Sequence, residues 1–398
     1  MAPRKMKPGV YSVGAIDWDR RLFDSLIPLP LGTSYNAYLV QGESKVALID
    51  TVEPGLAKEL FANLDELGIK KIDYVVCHHA EQDHSGSIPA VLERYPGAKV
   101  VTNQKCMDLL SSHLRIPATA CEIITDGAVL DLGGRSLQFI FAPWVHWPET
   151  MFSFLREDKI LFTCDFFGSH FATGTLYADD EHHVYLSAKR YYAEIMMPFR
   201  QKYGTYLQKI DALAPEIIAP SHGPIYRRPE FILDAYKDWT SDKVKNEALV
   251  AYVSMHGSTK VMVDRLVDRL VAAGVNVKQF DLATIDIGEL AMALVDAATL
   301  VLATPTVLNG PHPAAVYAAY LTGAIKPKLR HAVILGSQAW GGKTVEVLKG
   351  LLAGLKLEMF DPLMSKGLPT AEDLLAVDKL AETIQARHAA LSDAHGTL

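Results

Sequence analysis

Four side chains able to ligate a metal fall within six positions, His79, Glu81, Asp83 and His84, in the run Val75-Val76-Cys77-His78-His79-Ala80-Glu81-Gln82-Asp83-His84. Imidazole plus carboxylate is a borderline-to-hard donor set, suited to iron, manganese or zinc and unsuited to copper(I). Val75 to Cys77 reads as the end of a buried strand. On an extended strand-to-loop segment alternate side chains share a side, so His79, Glu81 and Asp83 are expected to point one way. His84 is placed to reach a second ion beside the first. The competing reading is a solvated polar turn. Against it stand Gly86, an apolar helix expected over residues 88–92, and three ligand-type residues further along the chain.

Those three also follow apolar runs. Phe141-Ala142-Pro143 ends a strand and delivers His146; the run from Ile160 to Cys164 stops at Asp165; Ile217-Ile218-Ala219-Pro220 leads to His222. Each alone reads more often as a cap or a hydrogen-bonding turn residue. Their repetition is what one edge of a sandwich carrying a metal site would produce.

The positioning elements of the first half are short. Strands are expected over 10–14, 35–40, 45–50, 75–77, 99–102, 137–142 and 160–163, and helices over 56–68 and 88–95. Their alternation implies a layered sandwich with both sheets covered. Residues 237–246 turn polar, a helix end and short linker, giving domains of 1–246 and 247–398. The second half opens with an apolar strand over 248–253. The loop Ser254-Met255-His256-Gly257-Ser258-Thr259 follows, then an amphipathic helix with Val263, Leu266, Val267 and Leu270 on one face. Free N–H groups and the helix dipole make such a loop an anion site, although a plain turn fits equally well. Neither a Gly-Lys-Ser/Thr ending nor G-x-G-x-x-G is present, which weakens triphosphate and dinucleotide readings. Further strands over 275–280, 300–303, 332–336 and 357–360 make this half a doubly wound parallel sheet. Two more loops leave sheet C-terminal ends: Thr304-Pro305-Thr306-Val307-Leu308-Asn309-Gly310 and Ser337-Gln338-Ala339-Trp340-Gly341-Gly342.

A chain of 398 residues exceeds what one core organises, which supports two domains. A net charge of −7 argues against nucleic-acid binding. The four cysteines are widely spaced without a C-x-x-C pair, as expected of free thiols in a reducing compartment. Cys77 and Cys164 lie in apolar runs and read as packing residues. The basic N-terminus lacks an apolar signal region, and no run of about 18 apolar residues could span a membrane. A cytoplasmic, soluble protein is expected.

The set His79, Glu81, Asp83, His84, His146, Asp165 and His222 resembles the metal site of the metallo-β-lactamase fold, and more narrowly that of the flavodiiron proteins. The wider superfamily generally has histidine where Glu81 stands, and an anionic oxygen ligand favours iron over zinc. Carried over residue by residue, the resemblance implies one iron on His79, Glu81 and His146, a second on Asp83, His84 and His222, and Asp165 bridging. In some members the histidine at the place of His84 turns away. His170 is read as a residue behind the ligands, His78 as a loop or packing residue, and Trp147 and Tyr191-Tyr192 as pocket lining. The second half resembles flavodoxin, which implies FMN on its three loops. The phosphate would lie on Ser254 to Thr259, and the ring between the other two loops with Trp340 beside it.

Together the resemblances cover residues 8 to 395 and imply the A-type, two-domain form: a metallo-β-lactamase-like αββα sandwich followed by a flavodoxin-like sheet. The implied activity is reduction of O2 to water, of NO to N2O, or both. Electrons would pass through FMN from an external donor, rubredoxin or a deazaflavin. A head-to-tail homodimer or dimer of dimers, setting the FMN of one chain beside the irons of another, is implied too. The rival is a zinc-dependent hydrolase of the same fold with a flavodoxin-like appendage.

Overall fold

In the computed structural model, which describes residues 2–393, the chain forms two compact units. One takes in residues up to 192 together with 199–240; the other takes in 193–198 and the residues from 241 onward.

The first unit is built on two sheets. One runs in the order Arg4–Lys7, Val10–Ser12, Tyr38–Gln41, Val46–Ile49, Tyr74–Val76, Lys99–Thr102 and Cys121–Ile123. The other runs Val129–Asp131, Ser136–Phe141, Met151–Leu155, Ile160–Phe162 and Ile217–Ala219. Strand periodicity divides the core between faces. Ala47, Ile49, Val76 and Val101 pack with Phe139, Leu155 and Phe162 between the sheets. Leu48, Val75 and Val100 face the other way, against Leu60, Leu64, Val91 and Leu110 of the helices Ala57–Glu66, Ile88–Arg94 and Gln104–Leu114. Beyond the second sheet, Phe152 stacks on Phe166, which meets Tyr203 and Tyr236 of two covering helices. The layers are therefore helix, sheet, sheet, helix.

Val46–Ile49, Tyr74–Val76 and Lys99–Thr102 pair in parallel, as do Ile160–Phe162 and Ile217–Ala219. Strands covered on both faces read as unbroken apolar runs, which is why these are short and, apart from Lys99–Thr102 with its Val-Val centre, wholly hydrophobic before a polar exit.

Two local expectations are corrected. Residues 35–40 are not one strand: Thr33–Tyr35 pairs with Ala15–Asp17, whereas Tyr38–Gln41 joins the large sheet. The break falls at Asn36, whose amide donates to the carbonyls of Pro220 and Gly223 and whose N–H donates to that of Ser221. The loop bearing His222 is thus tied to the first sheet. Asp83, expected on extended backbone, lies in the helical turn Gln82–Ser85, closed by the Ser85 N–H on the Glu81 carbonyl.

In the second unit the main sheet runs Asn276–Asp281, Lys245–Tyr252, Ala297–Val307, His331–Gln338, with Glu358–Met359 and Leu363–Lys366 both pairing in parallel with His331–Gln338. In chain order this is 2-1-3-4-5, the doubly wound order whose ligand crevice lies where the winding reverses, between Lys245–Tyr252 and Ala297–Val307. Val263, Leu266 and Leu270 of Ser258–Ala272 pack on Val250, Val301 and Val333. Two of the expected loops begin as strand. Thr304 to Val307 continue Ala297–Val307 and turn back as a hairpin onto Gly310–Pro311, and Ser337 and Gln338 close the strand His331–Gln338. Among the described residues no helix is long and apolar enough to cross a membrane.

Candidate metal centre

Behind the ligand-rich turn lies a buried anchor. Asp50 accepts from the backbone N–H of His78 at 2.9 Å and lies 2.6 Å from its Nδ1, while Ser153 Oγ stands 2.9 Å from its Nε2. His78 is thereby held away from the cluster, and the next residue, His79, is presented to it.

All seven expected ligand residues come together. Asp165 Oδ2 lies 3.0 Å from His146 Nε2 and 3.3 Å from His79 Nε2. Glu81 Oε2 stands at 3.0 and 3.3 Å from the same two nitrogens. Asp165 Oδ1 points to the other side, 3.1 Å from His84 Nε2 and 3.7 Å from His222 Nε2. Asp83 Oδ2 lies 3.1 Å from His84 and 3.3 Å from His222. The two oxygens of Asp165 therefore each belong to a different ligand group, with a ligand atom of Asp83 also within 4.8 Å of those of His79 and His84.

The fit to metal ions can be tested on this geometry. Donors bound at about 2.1 Å to one ion stand about 3.0–3.4 Å from one another along the edges of its coordination polyhedron. All but one of the separations above fall at or near that range. Neither oxygen of Asp83, nor Oδ1 of Asp165, has a hydrogen-bond donor aligned with it, although each is buried. Buried carboxylate oxygens without donors are costly unless a cation faces them. The donor set fits two hard-to-borderline dications.

Electrostatics agree. Burial pushes the His84 and His146 imidazoles down, yet the carboxylates around them prevail: Asp83 and Asp165 bring His84 up to about 10, and Asp165 and Glu81 bring His146 up to about 9. Burial also works against ionisation of Asp165, but His79 and His84 hold its carboxyl well below the usual range. A field that draws protons onto imidazoles draws metal dications more strongly, and metal binding displaces those protons.

The two groups differ in access. The rings of His84 and His222 are sealed, whereas the side chains of Glu81 and His146 remain 14 % and 17 % exposed. Glu81 and Asp83 border a cleft of about 380 Å³ that is lined also by Phe23, Asp24, Glu53 and Trp147. His170 is not in either group: its Nδ1 lies 2.9 Å from Thr33 Oγ1, and its ring packs 4.9 Å from that of His222. Burial and the neighbouring His222 keep it neutral. Tyr191 packs edge-on to His170, whereas Tyr192 donates to the carbonyl of Trp239.

Several contributors carry no signal in the sequence. Asp24 and Glu53 reach the cleft from irregular segments, and Ser34 acts through its carbonyl, which accepts from His222 Nδ1 at 2.7 Å. Cys164, read as packing, has its Sγ 3.1 Å from His79 Nδ1.

In the second unit the three expected cofactor loops are neighbours at the C-terminal ends of adjacent strands. Gly257, at φ +89°, opens the helix Ser258–Ala272, and Ser254 Oγ accepts from the Lys260 N–H. Thr259 Oγ1 lies 3.0 Å from Ser337 Oγ, tying the first loop to the third. The Lys343 N–H donates to the Asn309 carbonyl and Thr306 Oγ1 meets Thr344 Oγ1, tying the second to the third. Met255, Leu308 and Trp340 are exposed around them. Large apolar side chains left in solvent at a crevice suit a planar ring.

A family model described as ODP family beta lactamase matches residues 33–223. A nitric oxide reductase of Moorella thermoacetica is 36 % identical over 396 residues, covering 97 % of this chain and 98 % of its own. Among solved structures, the rubredoxin oxygen:oxidoreductase of Desulfovibrio gigas superposes with a TM-score of 0.94 at 30 % identity, covering 98 % of this chain and 99 % of its own. The flavodiiron protein of Giardia intestinalis gives 0.93 at 28 % identity, covering 99 % and 98 %.

Proposed function

The chain belongs to the flavodiiron proteins, and on that premise we propose that it is an oxidoreductase reducing O2 to water, NO to N2O, or both. The observation that carries this reading is Asp165, one carboxylate with an oxygen in each of two ligand groups. One iron is assigned to His79, Glu81 and His146, the other to Asp83, His84 and His222, with Asp165 between them. FMN is assigned to the second domain, residues 247–398, on Ser254 to Thr259, Thr304 to Gly310 and Ser337 to Gly342. When bound, two ferrous ions and a reduced flavin supply four electrons, the number that O2 needs to become two waters and twice what two NO need to become N2O.

The protein's own residues divide the remaining work. Asp165 stays ionised and spans both groups. The sealed side, His84 with His222, keeps water out. Glu81 and Asp83 line the cleft and His146 is partly exposed, so a small gas reaches the centre there. Electrons come from an external donor, for which rubredoxin is the first candidate and a deazaflavin the second. The working assembly is a head-to-tail homodimer or a dimer of dimers, in the cytoplasm.

A zinc hydrolase of the same fold is not favoured, because the relatives are oxidoreductases by name and Glu81 adds an anionic oxygen that suits iron. The test is anaerobic. The purified protein is reduced and titrated separately with O2 and with NO, while flavin absorbance and products are followed. Stoichiometric consumption of at least one gas is expected; consumption of neither, or zinc with esterase activity, refutes the reading.

A further inference from the structure

Of the four ring nitrogens that face away from the cluster, those of His222, His79 and His84 meet different surroundings. His222 Nδ1 has the Ser34 carbonyl at 2.7 Å, His79 Nδ1 has the Cys164 thiol at 3.1 Å, and His84 Nδ1 has no hydrogen-bond partner among the described residues. With Nε2 facing the cluster, Nδ1 carries the ring proton and donates outward. A carbonyl is a strong acceptor and draws that proton, which makes the opposite nitrogen a better electron donor to a metal; a thiol sulfur is a weak one. Both Cys164 and His79 are buried, so no water is at hand to improve the bond.

The backbone adds a second, independent observation. Cys164 sits at φ +52°, in the left-handed region that glycine and asparagine occupy more readily than other residues. A cysteine held there, next to Asp165, turns its sulfur onto the imidazole rather than into the hydrophobic layer that the flanking apolar run would suggest.

We propose that Cys164 is a positioning residue that fixes the ring of His79 and, as a weak acceptor, leaves the ion on His79, Glu81 and His146 more electron-poor than a carbonyl or amide partner would. This rests on the diiron reading above.

The experiment is a potentiometric titration of the iron pair, followed by electron paramagnetic resonance, in the wild-type holoenzyme and in Cys164→Asn and Cys164→Ala at matched iron content. Asparagine tolerates the left-handed backbone and offers an amide oxygen, so its one-electron potential shifts negative. Alanine offers no acceptor, so its potential shifts positive. A redox-silent readout accompanies it: chelator competition on the zinc-loaded proteins, where the asparagine variant retains the ion more tightly than wild type by about tenfold, the lower end of effects seen for such outer partners. Should the alanine variant fail to fold, the asparagine arm decides alone. Coincident potentials and affinities at two irons per chain overturn the role of Cys164 while leaving the diiron reading intact. A wild-type protein that takes up no iron pair overturns both.

Discussion

The Nε2 atoms of His84 and His222 stand 3.0 Å apart. Two neutral imidazoles cannot present lone pairs to each other at that distance without repulsion; a proton or a cation must lie between or beside them. With Asp83 and Asp165 Oδ1 completing the group, this contact marks one place where a metal ion belongs.

Replacing Asp165 removes the one residue that both groups share. Asp165→Asn keeps the shape and loses the charge. Iron per chain is expected to fall from two toward one or none, and gas reduction by at least about a hundredfold, since even partners behind the ligands cost 10–100-fold. Metal analysis with oxygen-electrode and NO-electrode rates checks both. Unchanged iron with undiminished rates would falsify the bridging assignment.

Glu81→His replaces an anionic oxygen of the partly exposed group with a neutral nitrogen. Zinc uptake should rise relative to iron when both are supplied, and gas reduction should drop. Competitive loading followed by elemental analysis decides it; a variant that still prefers iron contradicts the role given to Glu81.

The Asp50–His78 anchor is a stability matter. Asp50→Ala strands the His78 backbone N–H and its ring nitrogen in a site closed to water. A loss of about 2–5 kcal/mol is expected for buried partners left unpaired. Urea unfolding at fixed metal load measures it, and a loss below the error of the midpoint contradicts it.

The Thr259–Ser337 contact joins the first and third loops of the second unit. Thr259→Val leaves the serine hydroxyl without that partner and removes a hydroxyl from the anion loop. FMN affinity should fall about tenfold or more, the equivalent of one lost hydrogen bond of about 1–2 kcal/mol. Fluorescence titration of the apoprotein reads this directly.

His388 makes the second unit sensitive to acid. Its Nε2 lies 2.7 Å from Thr299 Oγ1 and its Nδ1 2.8 Å from Asn246 Oδ1. Burial, and then His331, push its pKa down to about 4, against about 6.5 for an unfolded histidine. A folded-state value below the unfolded one means that the unfolded chain binds more protons between them. The stabilisation is therefore whole above about 6.5 and declines as pH falls toward about 4. Denaturation midpoints at pH 7 and pH 5 should differ for wild type, and less so for His388→Gln. Equal pH slopes in the two proteins would count against it.

Much of this molecule was legible along the chain because apolar strands covered on both faces end abruptly in polar exits. The runs before His79, Asp165 and His222 are of that kind, and so are those before Ser254 and Ser337. The period of hydrophobicity thus announces both the sheets and the places where chemistry leaves them. Other features had no such signature. The break at Asn36 follows from hydrogen bonds to a loop nearly two hundred residues away in sequence, about which local propensity says nothing. The turn at Asp83 is helical because the Glu81 carbonyl finds the Ser85 N–H, a contact that alternation of side chains on a strand does not anticipate. The sequence by itself determined which donors are available and that strand ends carry them. Only the tertiary structure decided which nitrogen faces which oxygen, that Asp165 divides its two oxygens between groups, and that a thiol backs His79. Those relations depend on distances of a few ångströms between segments that only packing brings together.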